Sequence, residues 1–167
     1  MTIRKTLMTL GAVGLLTVVA SAPAIAGGSV FAGLSLPSGD FSDVAKTSYQ
    51  IGASYGFPVA PMASIGAWGA YNHFSWDEGI DGNFNSIEML AYGRISAPLG
   101  PFGMMGLGFS NSKATIAALE SDRETDFTWA IGGGYKMAVL ELTGLYHSIR
   151  TDGSPTNYFS LTAGIGF

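Results

Sequence analysis

From Tyr158 to Phe167 the chain alternates without a break. Phe159, Leu161, Ala163, Ile165 and Phe167 fall on one side of an extended strand, and Tyr158, Ser160, Thr162, Gly164 and Gly166 on the other. Successive side chains of a strand point to opposite faces, so one face here is wholly apolar up to the final residue. That is an unusual ending for a soluble domain and the expected one for a strand whose outer face meets lipid.

The opposite end carries an address. Arg4 and Lys5 precede an apolar run from Leu7 to Val19, followed by Ser21-Ala22-Pro23 and the small-residue triplet Ala24-Ile25-Ala26. This pattern predicts a cleaved secretory signal peptide over residues 1–26, with a single barrel domain over 27–167. The apolar run is short for a bilayer-spanning helix. Export places the protein in a bacterial envelope, and twelve acidic against six basic residues remain after the leader. Nucleic acid is therefore not an expected partner, since it calls for a basic footprint. Cysteine is absent, which excludes a disulfide framework and thiol chemistry. Charged residues make up 12% of the chain, about half the usual share, yet nothing after the leader is long and apolar enough for a membrane helix. An exported, apolar, glycine-rich chain without helical spans points to β-structure in a membrane.

Period-2 segments separated by turn residues predict eight strands: Gly28–Leu36, Thr47–Phe57, Met62–Phe74, Asn85–Ser96, Phe102–Ser112, Thr125–Lys136, Val139–Ile149 and Asn157–Phe167. Three connections are short: Pro58–Pro61, Pro98–Pro101 and the region of Met137-Ala138. Four are longer and polar: Pro37–Lys46, Ser75–Phe84, Lys113–Glu124 and Arg150–Thr156. Short turns on one side and long loops on the other are the asymmetry of outer-membrane barrels. The fold class predicted is all-β, an eight-stranded antiparallel up-and-down transmembrane β-barrel.

Alternation also assigns faces. Tyr49, Ile51, Ala53, Tyr55 and Phe57 oppose Ser48, Gln50, Gly52, Ser54 and Gly56, and Phe127, Trp129, Ile131 and Tyr135 oppose Asp126, Thr128, Ala130 and Lys136. The third strand is ambiguous, because turning Ile65, Ala67 and Tyr71 outward turns Trp68 inward. A soluble lipocalin-like barrel would reverse the faces, and Ser, Gly, Thr and Ala would make it a poorly soluble exterior.

With leader, eight strands and terminal Phe167 in place, the chain resembles the small eight-stranded outer-membrane β-barrel proteins of the OmpA transmembrane-domain and OmpX kind. The C-terminal strand is similar to the signal read by the outer-membrane assembly machinery, with Phe167 and Ile165 as its terminal apolar pair. Thr162 stands where that signal often has glycine. The resemblance implies localisation in the bacterial outer membrane, with outer-membrane lipid, lipopolysaccharide and the assembly machinery as partners, and a monomeric state.

Charges inside the predicted strands are few. Glu88, Arg94, Lys136 and Glu141 all point inward by parity, and Lys136 and Glu141 face each other if a two-residue turn joins their strands. Such groups must be paired, because an isolated buried charge is costly. They are interior ion-pair candidates, either a structural plug or a gate whose pairs switch partners; the resemblance implies a comparable network. Inward glycines (Gly52, Gly132, Gly134, Gly164) leave room for a small cavity, while an eight-stranded bore is only wide enough for side chains.

The loops hold Asp40, Asp43, Asp77, Glu78, Asp81, Glu120, Asp122, Glu124 and Asp152. Asp77 to Asp81 clusters oxygens that a hard cation would accept, but the spacing does not match an EF-hand. His73-Phe-Ser75 sets a base and a hydroxyl on one face and resembles the His-x-Ser element of outer-membrane lipid A deacylases. Trp76 stands where that element has Asn, and His147-Ser148 splits across two faces. The expected function is a non-enzymatic outer-membrane barrel of structural or surface-interaction type, with short acidic loops, no catalytic residues, no metal and no cofactor. A narrow gated, porin-like channel is the second reading and a lipid A-modifying enzyme the third.

Overall fold

The computed structural model describes residues 27–77, 82–98, 100–116, 119–121, 123–151 and 155–167, with the backbone alone at 116, 119 and 120. The signal-peptide expectation for residues 1–26 lies outside the described residues. Eight long strands are formed: β1 (Gly27–Ser38), β2 (Ser48–Ala60), β3 (Ala63–Ser75), β4 (Gly82–Ser96), β5 (Pro101–Ile116), β7 (Glu124–Met137), β8 (Leu140–Arg150) and β9 (Thr156–Gly166). A two-residue strand, β6 (Leu119–Glu120), folds back on the tip of β5. Each long strand pairs antiparallel with its neighbours in the chain, and β9 pairs with β1, so the sheet closes into an eight-stranded up-and-down barrel. Gly28 and Phe167 exchange both backbone hydrogen bonds, at 2.9 and 3.0 Å. Closure removes the edges that would otherwise present unpaired backbone groups.

Strand order and sidedness match the sequence expectation, and the boundaries agree to within two residues except at the β4–β5 hairpin end and at the end of β2. β4 begins at Gly82 and β5 runs to Ile116, with Asn83 opposite Thr115 and Asn85 opposite Lys113. Asn83, Lys113 and Thr115 read as loop, but a ladder ends where its partner strand ends, not where its side chains turn polar. The second difference is at Pro58, which reads as turn and lies in β2 beside an irregularity between Pro58 and Ala60. A residue without an N–H is tolerated at such a point.

The outer surface is an apolar belt. Val30, Ile51, Ile65, Met89, Leu107, Ile131, Leu142 and Leu161 are all exposed, one from each long strand. Aromatics crowd its ends, with Tyr55, Phe57, Tyr135 and Phe167 toward the short turns and Tyr49, Phe127 and Phe159 toward the loops, the positions of interfacial girdles.

Inside, the ambiguity of β3 is resolved. Trp68 points into the bore and stacks on Phe31, with centroids 5.4 Å apart and planes 13° from parallel. The inward glycines make room for rings rather than for an open cavity. A Cβ on Gly52 would stand 2.5 Å from the Phe31 ring and 2.3 Å from the Gly69 carbonyl oxygen, and one on Gly134 would stand 2.7 Å from Phe102. On the outer face, a Cβ on Gly93 would meet nothing within 4 Å.

That contrast is testable by denaturant unfolding of the lipid-reconstituted barrel. Gly52→Ala is expected to destabilise by about 1–3 kcal/mol through overpacking, and Gly93→Ala to change stability by less than about 0.5 kcal/mol.

Candidate functional site in the barrel interior

β4 and β8 face each other across the bore with β5 and β7 between them, and they supply most of the interior charge. Near the turn end, Arg94 of β4 donates from Nη1 to Glu141 Oε2 of β8 at 2.8 Å. Its Nε donates to Ser96 Oγ at 3.1 Å, and its Cζ lies 3.6 Å above the Phe102 ring. Register sets Lys136 directly opposite Glu141, across the two-residue connection Ala138-Val139. The carboxylate is nevertheless engaged by Arg94, and among the described residues Lys136 forms no ion pair.

Deeper in the bore, Glu88 of β4 is fully buried. Its Oε2 accepts from His147 Nδ1 of β8 at 3.0 Å, and its Oε1 accepts from the Tyr158 hydroxyl of β9. A carboxylate only accepts, so Nδ1 carries the hydrogen, and His147 Nε2 lies 3.0 Å from Ser160 Oγ. Tyr158 in turn accepts from Asn72 Nδ2 at 3.1 Å, and Asn72 Oδ1 accepts from Gln50 Nε2 at 2.7 Å and Ser35 Oγ at 3.2 Å. The network thus joins side chains of β1, β2, β3, β4, β8 and β9 across the bore, as a water-poor interior demands, while Gln50 Oε1 is buried without a hydrogen-bond partner among the described residues.

The interior pairs are threaded by rings. From Trp68 the column continues to His147 at 5.4 Å, to Tyr158 at 4.4 Å and 5° from parallel, and to Phe74 at 5.4 Å. Phe41, in the 3-10 turn Gly39–Asp43 of the first loop, caps it edge-on against Phe74 at 5.1 Å and Phe84 at 5.6 Å. The Trp76 indole N–H donates to the Thr115 carbonyl at 2.8 Å, and an exposed Lys46–Asp77 pair at 3.3 Å links the first and second loops. Side chains therefore fill the bore from Phe31 to the loop end.

His73 and Ser75 lie on the outer face near the loops. The His73 ring stacks on Tyr49 at 5.1 Å, and its Nδ1 lies 2.6 Å from Asn85 Oδ1, which also accepts from the Tyr71 hydroxyl. No hydrogen bond joins His73 to Ser75 among the described residues. Glu78, Asp81, Asp122, Asp152 and the side chain of Glu120 lie outside the described residues, so the cation reading of the second loop is not placed; among the described residues no group of three acidic or His side chains is arranged for a metal.

No family model and no curated protein matches the chain. Solved structures do. The outer membrane protein Ail of Yersinia pestis in a phospholipid bilayer nanodisc superposes with a TM-score of 0.60 at 17% identity, over 84% of this chain and 99% of that one. Neisserial surface protein A gives a TM-score of 0.56 at 13% identity, over 86% and 96%. The fold is that of a transmembrane β-barrel. Ail in complex with the heparin analogue sucrose octasulfate is also similar, with a TM-score of 0.55 at 15% identity, over 85% and 97%.

His147 and Tyr158 are the residues that sequence reasoning missed as partners of Glu88. Both have inward parity, which was the one available signal; their meeting with β4 requires the closed ring. Removing Glu88 strips the buried His147 Nδ1 and Tyr158 hydroxyl of their acceptor. Glu88→Ala is expected to cost about 2–5 kcal/mol through these two stranded donors, against less than about 1 kcal/mol for Asp77→Ala at the exposed Lys46 pair, both read from equilibrium unfolding.

Proposed function

We propose that this chain is an integral outer-membrane protein of structural and surface-interaction type, without enzymatic activity. The observation that carries the reading is the continuous belt of exposed apolar side chains around all eight strands, wrapped about an interior in which Glu88 and Glu141 are held by partners from other strands. Such a surface is stable in lipid and insoluble in water. In this reading residues 1–26 are the cleaved export signal, Phe167 and Ile165 end the strand that the assembly machinery recognises, and the barrel is a monomer surrounded by lipid and lipopolysaccharide. The Arg94–Glu141 ion pair and the Glu88–His147 hydrogen bond hold opposite walls together and have a structural role.

The ring column from Phe31 to Phe41 supports a closed bore over a narrow channel. Engagement of His73 by Asn85 and Tyr49 supports a rim residue over a lipid A deacylase. Surface interaction falls to the loops, and their acidity separates them from a protein that binds a heparin analogue, as Ail does. Asp40, Asp43, Asp77 and Glu124 outweigh Lys46 and Arg123 there, which favours a cationic partner over a sulfated one.

The test is the unheated against the boiled mobility of the protein from the outer-membrane fraction. A heat-dependent shift with retention in that fraction is expected, and a soluble periplasmic protein without a shift would sink the reading. Leu107→Arg, at the middle of the belt, is expected to destabilise by about 2–4 kcal/mol in vesicles. Planar-bilayer recordings are expected to show no conductance steps, and sucrose octasulfate no saturable binding.

A further inference from the structure

The bore is filled toward the loops but open toward the short turns. A cavity of about 660 Å³ occupies that end, within the range of small-molecule sites. Among the described residues three charged side chains line it, Arg94, Lys136 and Glu141, two of them cationic in a chain whose formal charge is −4. Arg94 neutralises Glu141 through Nη1 and holds Ser96 through Nε, which leaves its Nη2 without a hydrogen-bond partner among the described residues. Lys136 is exposed to the cavity and, among the described residues, pairs with no carboxylate, although register sets it opposite one. Its ammonium lies beside Gly166, where a Cβ would approach it to 3.4 Å. Serine and tyrosine hydroxyls complete the wall, among them Ser29, Ser54 and Tyr92.

A concave, hydroxyl-lined wall with one unpaired ammonium and one spare guanidinium N–H has donors to offer and few acceptors left. We propose that this turn-side vestibule binds a small oxyanion, a phosphate or carboxylate group, between Lys136 and Arg94. Lys136 supplies the point charge, Arg94 supplies the directed donor, and the hydroxyls complete the hydrogen bonds. The Arg94–Glu141 pair stays intact on binding, since Nη2 is the atom used. The proposal rests on the barrel alone, so it stands or falls separately from the membrane location.

The experiment uses the barrel purified from the membrane into zwitterionic micelles and labelled with 15N. Inorganic phosphate and, in a separate series, acetate are titrated in at constant ionic strength while amide shifts are followed. Saturable shifts confined to the amides of Gly28, Arg94, Lys136 and their neighbours are expected, at least ten-fold weaker in affinity for Lys136→Met and unchanged for Arg150→Gln at the opposite end. Lys136 is exposed and outside the Arg94–Glu141 ion pair, and the gel-mobility shift verifies that each variant is folded. Saturation by phosphate alone assigns a phosphoryl ligand, by acetate alone a carboxylate, and by both a general oxyanion site. Absence of saturation by either, or equal affinity in Lys136→Met, overturns the proposal.

Discussion

Every long strand of this barrel has one face toward the exterior and one toward the bore, and ring closure allows no exception. Side chains alternate with period 2, so the residues that make the outer belt apolar force the remaining half of each strand inward, polar or not. The interior must therefore complete its own hydrogen bonds in a space too narrow for bulk water. Glu88 shows how strict this is. Its carboxylate, fully buried, is held by one donor from β8 and one from β9, and loss of either would leave a charge where solvation cannot replace it.

The same narrowness explains the ring column. Aromatic side chains carry a large volume on two rotatable bonds and pack in stacked or edge-on pairs. Phe31, Trp68, His147, Tyr158, Phe74 and Phe41 occupy the axis, and Gly52 removes a Cβ that would stand in the way of Phe31. The column stops at Phe31 on the turn side, where glycines, serines, Tyr92 and the charged Arg94, Lys136 and Glu141 line the wall, and there the bore opens into the vestibule. One end of the barrel is thus built to exclude contents and the other to admit them.

Legibility from sequence followed the range of each interaction. Strand order, alternation and the inward parity of Glu88, Arg94, Lys136 and Glu141 are properties of single strands and neighbouring hairpins, and were readable. The register of Lys136 opposite Glu141 follows from a two-residue turn, so it too was within reach. The choice of Arg94 over Lys136 as the partner of Glu141 was not, because Arg94 stands 47 residues away on another wall of the bore. The length of β5 was missed for a related reason: Lys113 and Thr115 look like loop until Asn85 and Asn83 are seen to carry the ladder past them.

The amino-acid sequence by itself determined the architecture of this protein, since period 2, turn spacing and the placement of apolar residues are local quantities that each strand carries alone. It also determined which residues face the bore wherever a strand could be sided, because parity then leaves no freedom; β3 was the exception, and the structure turned its Trp68 inward. The tertiary structure alone decided who meets whom inside. Both side-chain clamps, Arg94–Glu141 and Glu88–His147, join β4 to β8, strands that share no backbone hydrogen bond. Their partners are therefore set by the curvature and stagger of the closed ring, which no single strand encodes.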